Sequence, residues 1–477
     1  MQGLFATIDK RNKLLYNKQV IFRKKERKML PEKFKERMRD MLGEEYPAFE
    51  SALEEPNVRA VRVNESKISV ADFLSSTSLS LSPINYAHDG FIPDSADGIG
   101  KSPEHHAGMF YVQDPGAMAT VKALDIKKGW RVLDACSAPG GKASQLASAI
   151  GDEGALLANE YVPKRAKIIV SNFERLGIKN AVITSLDTAK ITDMFRGYFD
   201  LVLCDAPCSG EGMFRKYDEA ITEWSEDNVK LCAGRQTEIL NNLAPTVKAG
   251  GYLLYSTCTY SKEENEGVVS EFLTSHPEFS ISPVNSDLKS ATADGIDGLV
   301  EARRFYPHLT KGEGQFMALL QKNDNAEDSS CVLYKENLKL PTKEELTVVK
   351  KFLAENVIGE ISGRFIKWGE YVALVPHSLP IPPCSVFMTG VVLGEVKKGN
   401  FFPHHQFFSA YGKQFKRQEN LTKDDVRTEK YLRGEEIDTN SDANGWCAVT
   451  YESVALGGGK ISGGRLKNHY PKGLRNN

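Results

Sequence analysis

An α/β core with two smaller flanking units is what this 477-residue chain predicts. Between Tyr111 and Gln321, short apolar runs alternate with helix-length segments, the pattern of a parallel sheet covered on both faces. Three of the runs end in motifs of small and reactive residues, and ligands sit at such strand ends in open α/β sheets. The length also exceeds one ordinary domain.

Taken in order, Leu30 to Leu53 carries helix-spaced Phe34, Met38, Met41 and Leu42, with Pro31 suited to a first turn. Val58 to Val63 alternates as a strand, and Val70 to Leu74 opens a second helix. Ser80 to Glu104, rich in Ser, Pro, Gly and Asp, reads as a connector. Core strands are expected at Arg131–Ala135, Ala155–Asn159, Ala181–Thr184, Leu201–Cys204, Tyr252–Tyr255 and Phe316–Leu320. Helices fall between them at Lys164–Leu176, Val229–Leu243 and Lys262–Ser275. The polar run Lys322 to Ser330 reads as a linker, followed by a helix over Thr342 to Leu353. Short β-like runs such as Phe387–Leu393 and Ala448–Tyr451 predict a β-rich C-terminal unit.

The expected division is therefore a basic extension over 1–28, an α+β unit with connector over 29–110, the core over 111–322, an intermediate unit over 331–386, and the β-rich unit over 387–477.

Composition narrows the function classes. The chain is 41% hydrophobic and 26% charged with a net charge of −2, ordinary globular material. No apolar stretch reaches the roughly 18 residues of a membrane span, and no secretory signal opens the chain. Eight scattered cysteines form no disulfide framework and suit a reducing cytoplasm. Charge is unevenly placed: residues 1–28 hold nine Lys and Arg against Asp9 and Glu26, and Gly457 to Asn477 holds Lys460, Arg465, Lys467, Lys472 and Arg475 with no acidic residue. The first stretch reads as a solvated extension, since Met29 opens a clean helical segment. The second suits docking on phosphates.

The strand at Arg131 runs into Cys136-Ser137-Ala138-Pro139-Gly140-Gly141-Lys142, a turn whose glycines let backbone approach a ligand at a helix N-terminus. It matches neither the dinucleotide nor the P-loop signature. Asn159-Glu160 closes the next strand, where an acidic residue hydrogen-bonds a ribose diol, and Asp187 follows the third. Carboxylates in register at successive strand ends favour a nucleoside cofactor without pyrophosphate. S-adenosylmethionine fits, with Lys142 and the turn near its methionine end.

Cys204, inside an apolar strand, and Cys136 read as small packing residues. No metal site is expected, because Cys204 and Cys208 lack a second ligand pair. Cys208 in Asp205-Ala206-Pro207-Cys208-Ser209-Gly210, and Cys258 in Ser256-Thr257-Cys258-Thr259-Tyr260-Ser261, lie just past strands and are candidate nucleophiles. The residues alone do not rank them.

These motifs, in this order and with Arg235-Gln236 between them, resemble the Sun (Fmu) family of S-adenosylmethionine-dependent RNA cytosine-5 methyltransferases. Ser137 and Ala143 stand where Ala and Thr are usual, both small changes. The sequence from Gly457-Gly458-Gly459-Lys460 to Arg475 is similar to the end of the PUA-like RNA-binding domain of the RsmF type, whose members act on 16S ribosomal RNA. The resemblance implies a Rossmann-like class I methyltransferase core between a small N-terminal α+β domain and a C-terminal PUA-like domain. It implies Ser137 to Ala143, Glu160, Asp187 and Asp205 as cofactor contacts, and 5-methylcytosine in ribosomal RNA of the small subunit as product. A cytoplasmic monomer is expected.

By the same resemblance Cys258 attacks C6 of the cytosine, Cys208 helps remove the C5 proton and release the enzyme, and Asp205 hydrogen-bonds the base at N3 or its exocyclic amine, drawing electron density from C6. If Asp205 donates to N3, burial must raise its pKa. The base has to be unpaired or flipped. Phe214, Tyr217 and Trp224 are possible stackers, against an equal expectation of core packing, and His105 and His106 read as structural or substrate-loop residues. The competing readings are the same chemistry on tRNA, other RNA, DNA or a small molecule, and a non-catalytic RNA-binding or ribosome-assembly factor.

Overall fold

The structure, a computed structural model, describes residues 29–325, 331–332, 334–378, 381–439, 441 and 443–476. The basic extension over 1–28 lies outside the described residues.

Five parallel strands form the centre of one large sheet, in the order Val247–Thr257, Phe199–Asp205, Arg131–Asp134, Ala155–Asn159 and Ala181–Thr184. Their residues are nearly all fully buried, as expected for strands covered on both faces. The chain runs outward in both directions from Arg131–Asp134, so a crevice opens at its carboxyl end. Gln315–Lys322 pairs antiparallel with Val247–Thr257 and carries the short strands Phe279–Ser282 and Arg303–Phe305 on its far side, so the last expected strand departs from a purely parallel pattern.

Two sequence expectations change. The stretch expected as a connector, Ser80 to Glu104, contains strands Leu81–Ile84 and Ala87–Pro93, which join Ala60–Val63 and Phe110–Gln113 in a four-stranded N-terminal sheet. Pro83 is accommodated because its strand is at the sheet's edge. The run Phe387–Leu393 is not one strand. It turns at Gly390, whose φ of 54° disfavours any side chain and whose Cβ would collide with the Leu374 carbonyl. Val386–Thr389 before the turn pairs with Ala181–Thr184 of the large sheet, and Val391–Lys397 after it pairs with Tyr371–Val375. An expected boundary at 386/387 thus cuts a strand of the methyltransferase-like sheet.

The intermediate segment forms helix Lys343–Asn356, begun by a capping box at Thr342 and Glu345, and a four-stranded sheet, Arg364–Trp368, Tyr371–Val375, Val391–Lys397 and Asn400–Pro403. A five-stranded sheet built on Gly445–Tyr451 and Val454–Ser462 ends the chain.

The units share cores. Val61 and Phe110 of the N-terminal sheet and Phe73 of helix Val70–Ser76 pack in one cluster with Leu421, Val449 and Leu466 of the last sheet and Tyr431 of helix Arg427–Leu432. His106 sits in that seam, bonded to Tyr470 Oη (2.8 Å) and Asn476 Oδ1 (2.9 Å). His105 packs against the Phe110 ring (5.8 Å), and burial lowers its pKa to about 3, so both histidines are taken up by packing and hydrogen bonds within this seam. Lys67 adds a three-way tie, donating to the carbonyls of Ala107 (2.8 Å), Arg175 (3.2 Å) and Ala455 (2.9 Å).

Candidate active site

The glycine turn is assembled by its own backbone. Ser137 Oγ donates to the Asp134 carbonyl (2.8 Å), and the Gly140 N–H to the Ser137 carbonyl (2.7 Å). Gly140 has φ 108°, a conformation for glycine, and caps helix Gly141–Ile150. Arg165 and Asn172 bond the carbonyls of Ala138 (3.3 Å) and Pro139 (2.9 Å), fixing the outer side of the turn. At the helix start the N–H groups of Gly141, Lys142 and Ala143 have no intrahelical acceptor. The Ala143 side chain is buried in the core, so only its backbone can serve a ligand.

Asn159 ties three strand ends together, donating to the carbonyls of Ala135 (3.2 Å) and Leu186 (3.0 Å). Glu160 beside it is 3% exposed and accepts from the Val162 N–H (3.0 Å), with Arg165 at 3.3 Å. Asp187 is exposed and caps helix Thr188–Met194 through the Ala189 N–H (2.9 Å). Asp134 was not singled out from sequence. It is buried, which with Asp205 nearby raises its pKa to about 7, and its Oδ2 has no hydrogen-bond partner. An orphaned acceptor, a row of free N–H groups and a carboxylate at the neighbouring strand end fit the amino-acid and ribose ends of S-adenosylmethionine. A pyrophosphate would meet the wrong charge.

Register brings the two cysteine motifs together. Asp205 pairs with Ser256 across the parallel strands, and one turn further the sulfurs of Cys208 and Cys258 lie 3.1 Å apart. Both thiols are half-buried. The Cys258 sulfur, together with burial, pushes the Cys208 thiol well above its ordinary pKa. Asp205 Oδ1 accepts from Ser256 Oγ (2.7 Å) and pairs with Lys142 Nζ (2.8 Å), so the cofactor turn and the cysteine pair meet at this carboxylate. The side chain is 30% exposed, and in both contacts Asp205 accepts. That differs from the protonated donor expected if Asp205 bonded N3.

Buried polar groups hold the loops in place. A π-helical turn at Glu263–Gly267, of the kind often found at functional sites, buries three consecutive polar side chains, Glu264, Asn265 and Glu266. Glu264 accepts from the Ser209 N–H (2.9 Å) and from Gln236 (2.8 Å), which also bonds the Pro207 carbonyl (2.9 Å). Asn265 bonds Thr257 Oγ1 (2.6 Å) and the Thr259 carbonyl (3.0 Å). Glu266 takes a bidentate pair from buried Arg304. Glu211 joins the loops from the other side, accepting from Thr259 Oγ1 (2.9 Å), the Tyr260 N–H (2.9 Å) and Trp224 Nε1 (2.8 Å).

Two of the three possible stackers are therefore packing residues. Phe214 and Trp224 are 4% and 8% exposed, edge-on to Phe34 of the first helix. Tyr217 alone remains open, at 57%. Another residue missed from sequence is Arg62, fully buried, which donates to the Gly141 carbonyl (2.7 Å), Ser144 Oγ (2.8 Å) and Gln113 Oε1 (2.5 Å). It braces the cofactor helix from the N-terminal sheet.

Comparison with known proteins agrees with this architecture. Residues 121–321 match the family described as 16S rRNA methyltransferase RsmB/F, residues 30–115 the N-terminal domain of 16S rRNA methyltransferase RsmF, and residues 418–476 the methyltransferase RsmF PUA domain. The chain is 32% identical to ribosomal RNA small subunit methyltransferase F of Klebsiella pneumoniae, over 93% of this chain and 96% of that protein. Its namesake from Vibrio vulnificus is 29% identical, over 93% and 97%. A crystal structure of a methyltransferase homologue from Pyrococcus horikoshii superposes with a TM-score of 0.54 at 30% identity, covering 61% of this chain and 95% of that one. With a Rossmann-like methyltransferase core, an N-terminal sheet braced on its cofactor helix and a PUA domain sharing that sheet's core, the chain belongs to the ribosomal RNA small subunit methyltransferase F family.

Proposed function

We propose that the protein methylates C5 of a cytosine in 16S ribosomal RNA, with S-adenosylmethionine as donor and a covalent adduct between Cys258 and C6 of the base. The observation that carries this reading is the pair of sulfurs 3.1 Å apart beside Asp205, at the ends of adjacent strands. When bound, S-adenosylmethionine supplies an electrophilic methyl group. The turn at Ser137 to Ala143, with Glu160, Asp187 and Lys142, holds it at the crevice.

Cytosine C5 is a weak nucleophile. A Cys258 thiolate bonds to C6 as the C5–C6 double bond opens, which makes C5 electron-rich enough to take the methyl. Asp205, held as an acceptor by Lys142 and Ser256, receives the exocyclic amine and fixes the base. Before attack, the neighbouring Cys258 sulfur keeps Cys208 protonated. Once that sulfur is a thioether, the largest cause of the raised Cys208 pKa is gone. Cys208 can then lose its proton to solvent and take the one from C5. The C6–S bond breaks, the double bond reforms, and Cys258 leaves as thiolate.

The purified protein, given methyl-labelled S-adenosylmethionine and small subunits or 16S rRNA, should create a bisulfite-resistant cytosine. Label found on another atom or another base would overturn the reading.

The last sheet offers an RNA-facing surface. Lys460 and Lys467 lie directly opposite each other across two strands, an unfavourable pairing that a polyanion would relieve. Trp446 lies beneath Lys460 (5.8 Å), and the ring of His469 is 4.8 Å from that indole. Lys460→Glu with Lys467→Glu should weaken RNA binding and lower its log–log salt slope by about 1 to 2, leaving cofactor affinity unchanged. Filter binding across salt concentrations checks this. Deleting everything after 387 is a poorer test, because it removes part of a strand of the large sheet.

A further inference from the structure

Between the N-terminal unit and the loop that follows Cys208 lies an open depression of about 240 Å³, bordered by Asn57, Arg59, Gln113, Asp114, Lys216 and Tyr217. It is smaller than the roughly 300–1,000 Å³ that enclose whole small-molecule ligands. Its inner wall touches the cofactor turn. A Cβ on Gly141 of the cofactor turn would come within 3.5 Å of the Gln113 amide, and Gln113 accepts from Arg62. The outer wall follows from the cysteine loop: the Gly212 N–H bonds the Cys258 carbonyl (2.9 Å), and the N–H groups of Lys216 and Tyr217 bond the Met213 carbonyl (2.9 and 3.0 Å). The depression is therefore next to the cleft, held by the same backbone that places Cys258.

The chemistry of its rim is specific. Phe214 and Trp224 are consumed by the core, yet Tyr217 between them in sequence keeps its ring in solvent. Exposing an aromatic ring beside a catalytic loop forgoes burial, and such rings serve as platforms for unstacked bases. Arg59 is exposed and has no ion pair among the described residues. Lys216 pairs with Asp114 (3.7 Å), whose carboxylate already accepts from the N–H groups of Ala117 (3.2 Å) and Glu313 (3.1 Å), and it also lies within electrostatic reach of the Glu313 carboxylate, which Arg215 already holds (2.8 Å). Two cations thus flank one open aromatic ring, with only committed carboxylates beside Lys216. That combination tracks a single-stranded backbone while stacking one base.

We infer that this depression is the subsite for a nucleotide adjacent to the target cytosine, its base stacked on Tyr217 and its phosphate held by Arg59 and Lys216. The inference rests on the RNA-cytosine reading above and adds a requirement to it: a neighbour of the target is unstacked as well. Recognition then depends on a strand that is open at the target and at one neighbouring nucleotide, which a paired stem does not provide.

Three variants of the full chain test it on 16S rRNA or small subunits. Tyr217→Ala should raise KM for RNA about 5- to 100-fold, the effect of losing one base stack, while Tyr217→Phe stays within about twofold of wild type. Arg59→Gln should reduce the salt slope of RNA binding by about 0.7. S-adenosylmethionine affinity should not change in any of them. A 2-aminopurine placed on either side of the mapped cytosine should be quenched by wild type and by Tyr217→Phe, but not by Tyr217→Ala. Unchanged KM and unchanged quenching in Tyr217→Ala would overturn the subsite while leaving the methyltransferase reading intact. Failure of the wild type to make 5-methylcytosine would instead overturn that reading.

Discussion

Cys258→Ala is expected to lower kcat for RNA methylation by at least about 10⁴-fold, the scale on which a removed nucleophile is felt. In the proposed mechanism Cys258 is the group that makes C5 reactive, because the donor methyl is useless until electron density reaches that carbon. The substitution removes one sulfur whose recorded side-chain contact is with Cys208, so the loops held by Glu211, Glu264 and Gln236 should stay in place. S-adenosylmethionine should bind as before, since Ser137 to Lys142, Glu160 and Asp187 lie on other strand ends. Bisulfite sequencing of rRNA from cells carrying only the variant reads the outcome. Full conversion to 5-methylcytosine in that strain would transfer the nucleophile's role to Cys208, 3.1 Å away.

Local pattern made the centre of the fold legible. The apolar runs at Ala155–Asn159 and Ala181–Thr184 coincide with strands, and the Gly140-Gly141 turn begins a helix as its composition requires. Less accessible were features decided by distant pairing. Ser80 to Glu104 looks like a linker by composition, yet Ala87–Pro93 becomes a strand because Ala60–Val63 lies beside it. Val386–Thr389 joins a sheet whose nearest strand ends some two hundred residues earlier. The same holds for the aromatics: whether Phe214, Tyr217 or Trp224 is buried depends on Phe34 in a helix far upstream.

In the site, the candidate residues were readable as motifs, but their contacts were not. Nothing in the local sequence pairs Lys142 with Asp205, and that contact, with the one from Ser256, makes Asp205 an acceptor in this structure. Glu211, Gln236 and Glu264 are ordinary polar residues of helix and loop until register places them under the cysteines. A buried polar group must find hydrogen-bond partners to offset desolvation, so these three act as fixed struts rather than solvated side chains. Burial raises the pKa of Glu264 to about 7 and that of Glu211 above its usual range, which marks how little water reaches the loops they hold.

Cys208→Ala should separate methyl transfer from release. Attack by Cys258 and transfer to C5 need neither a base at Cys208 nor its proton, so the first half of the reaction still runs. Elimination does need the C5 proton removed, and without Cys208 that step loses its general base, worth about 10² to 10⁴-fold in turnover. The methylated RNA then stays bonded to Cys258 through C6. A denaturing gel should show a protein–RNA species that appears only with both S-adenosylmethionine and RNA, and that disappears when Cys208→Ala is combined with Cys258→Ala. The double variant matters because it ties the trapped bond to one sulfur and excludes mere tight binding. Normal turnover with no trapped species in Cys208→Ala would mean that another group, or water, removes the proton. The 3.1 Å contact between the sulfurs would then serve only to stabilise the attacking thiolate.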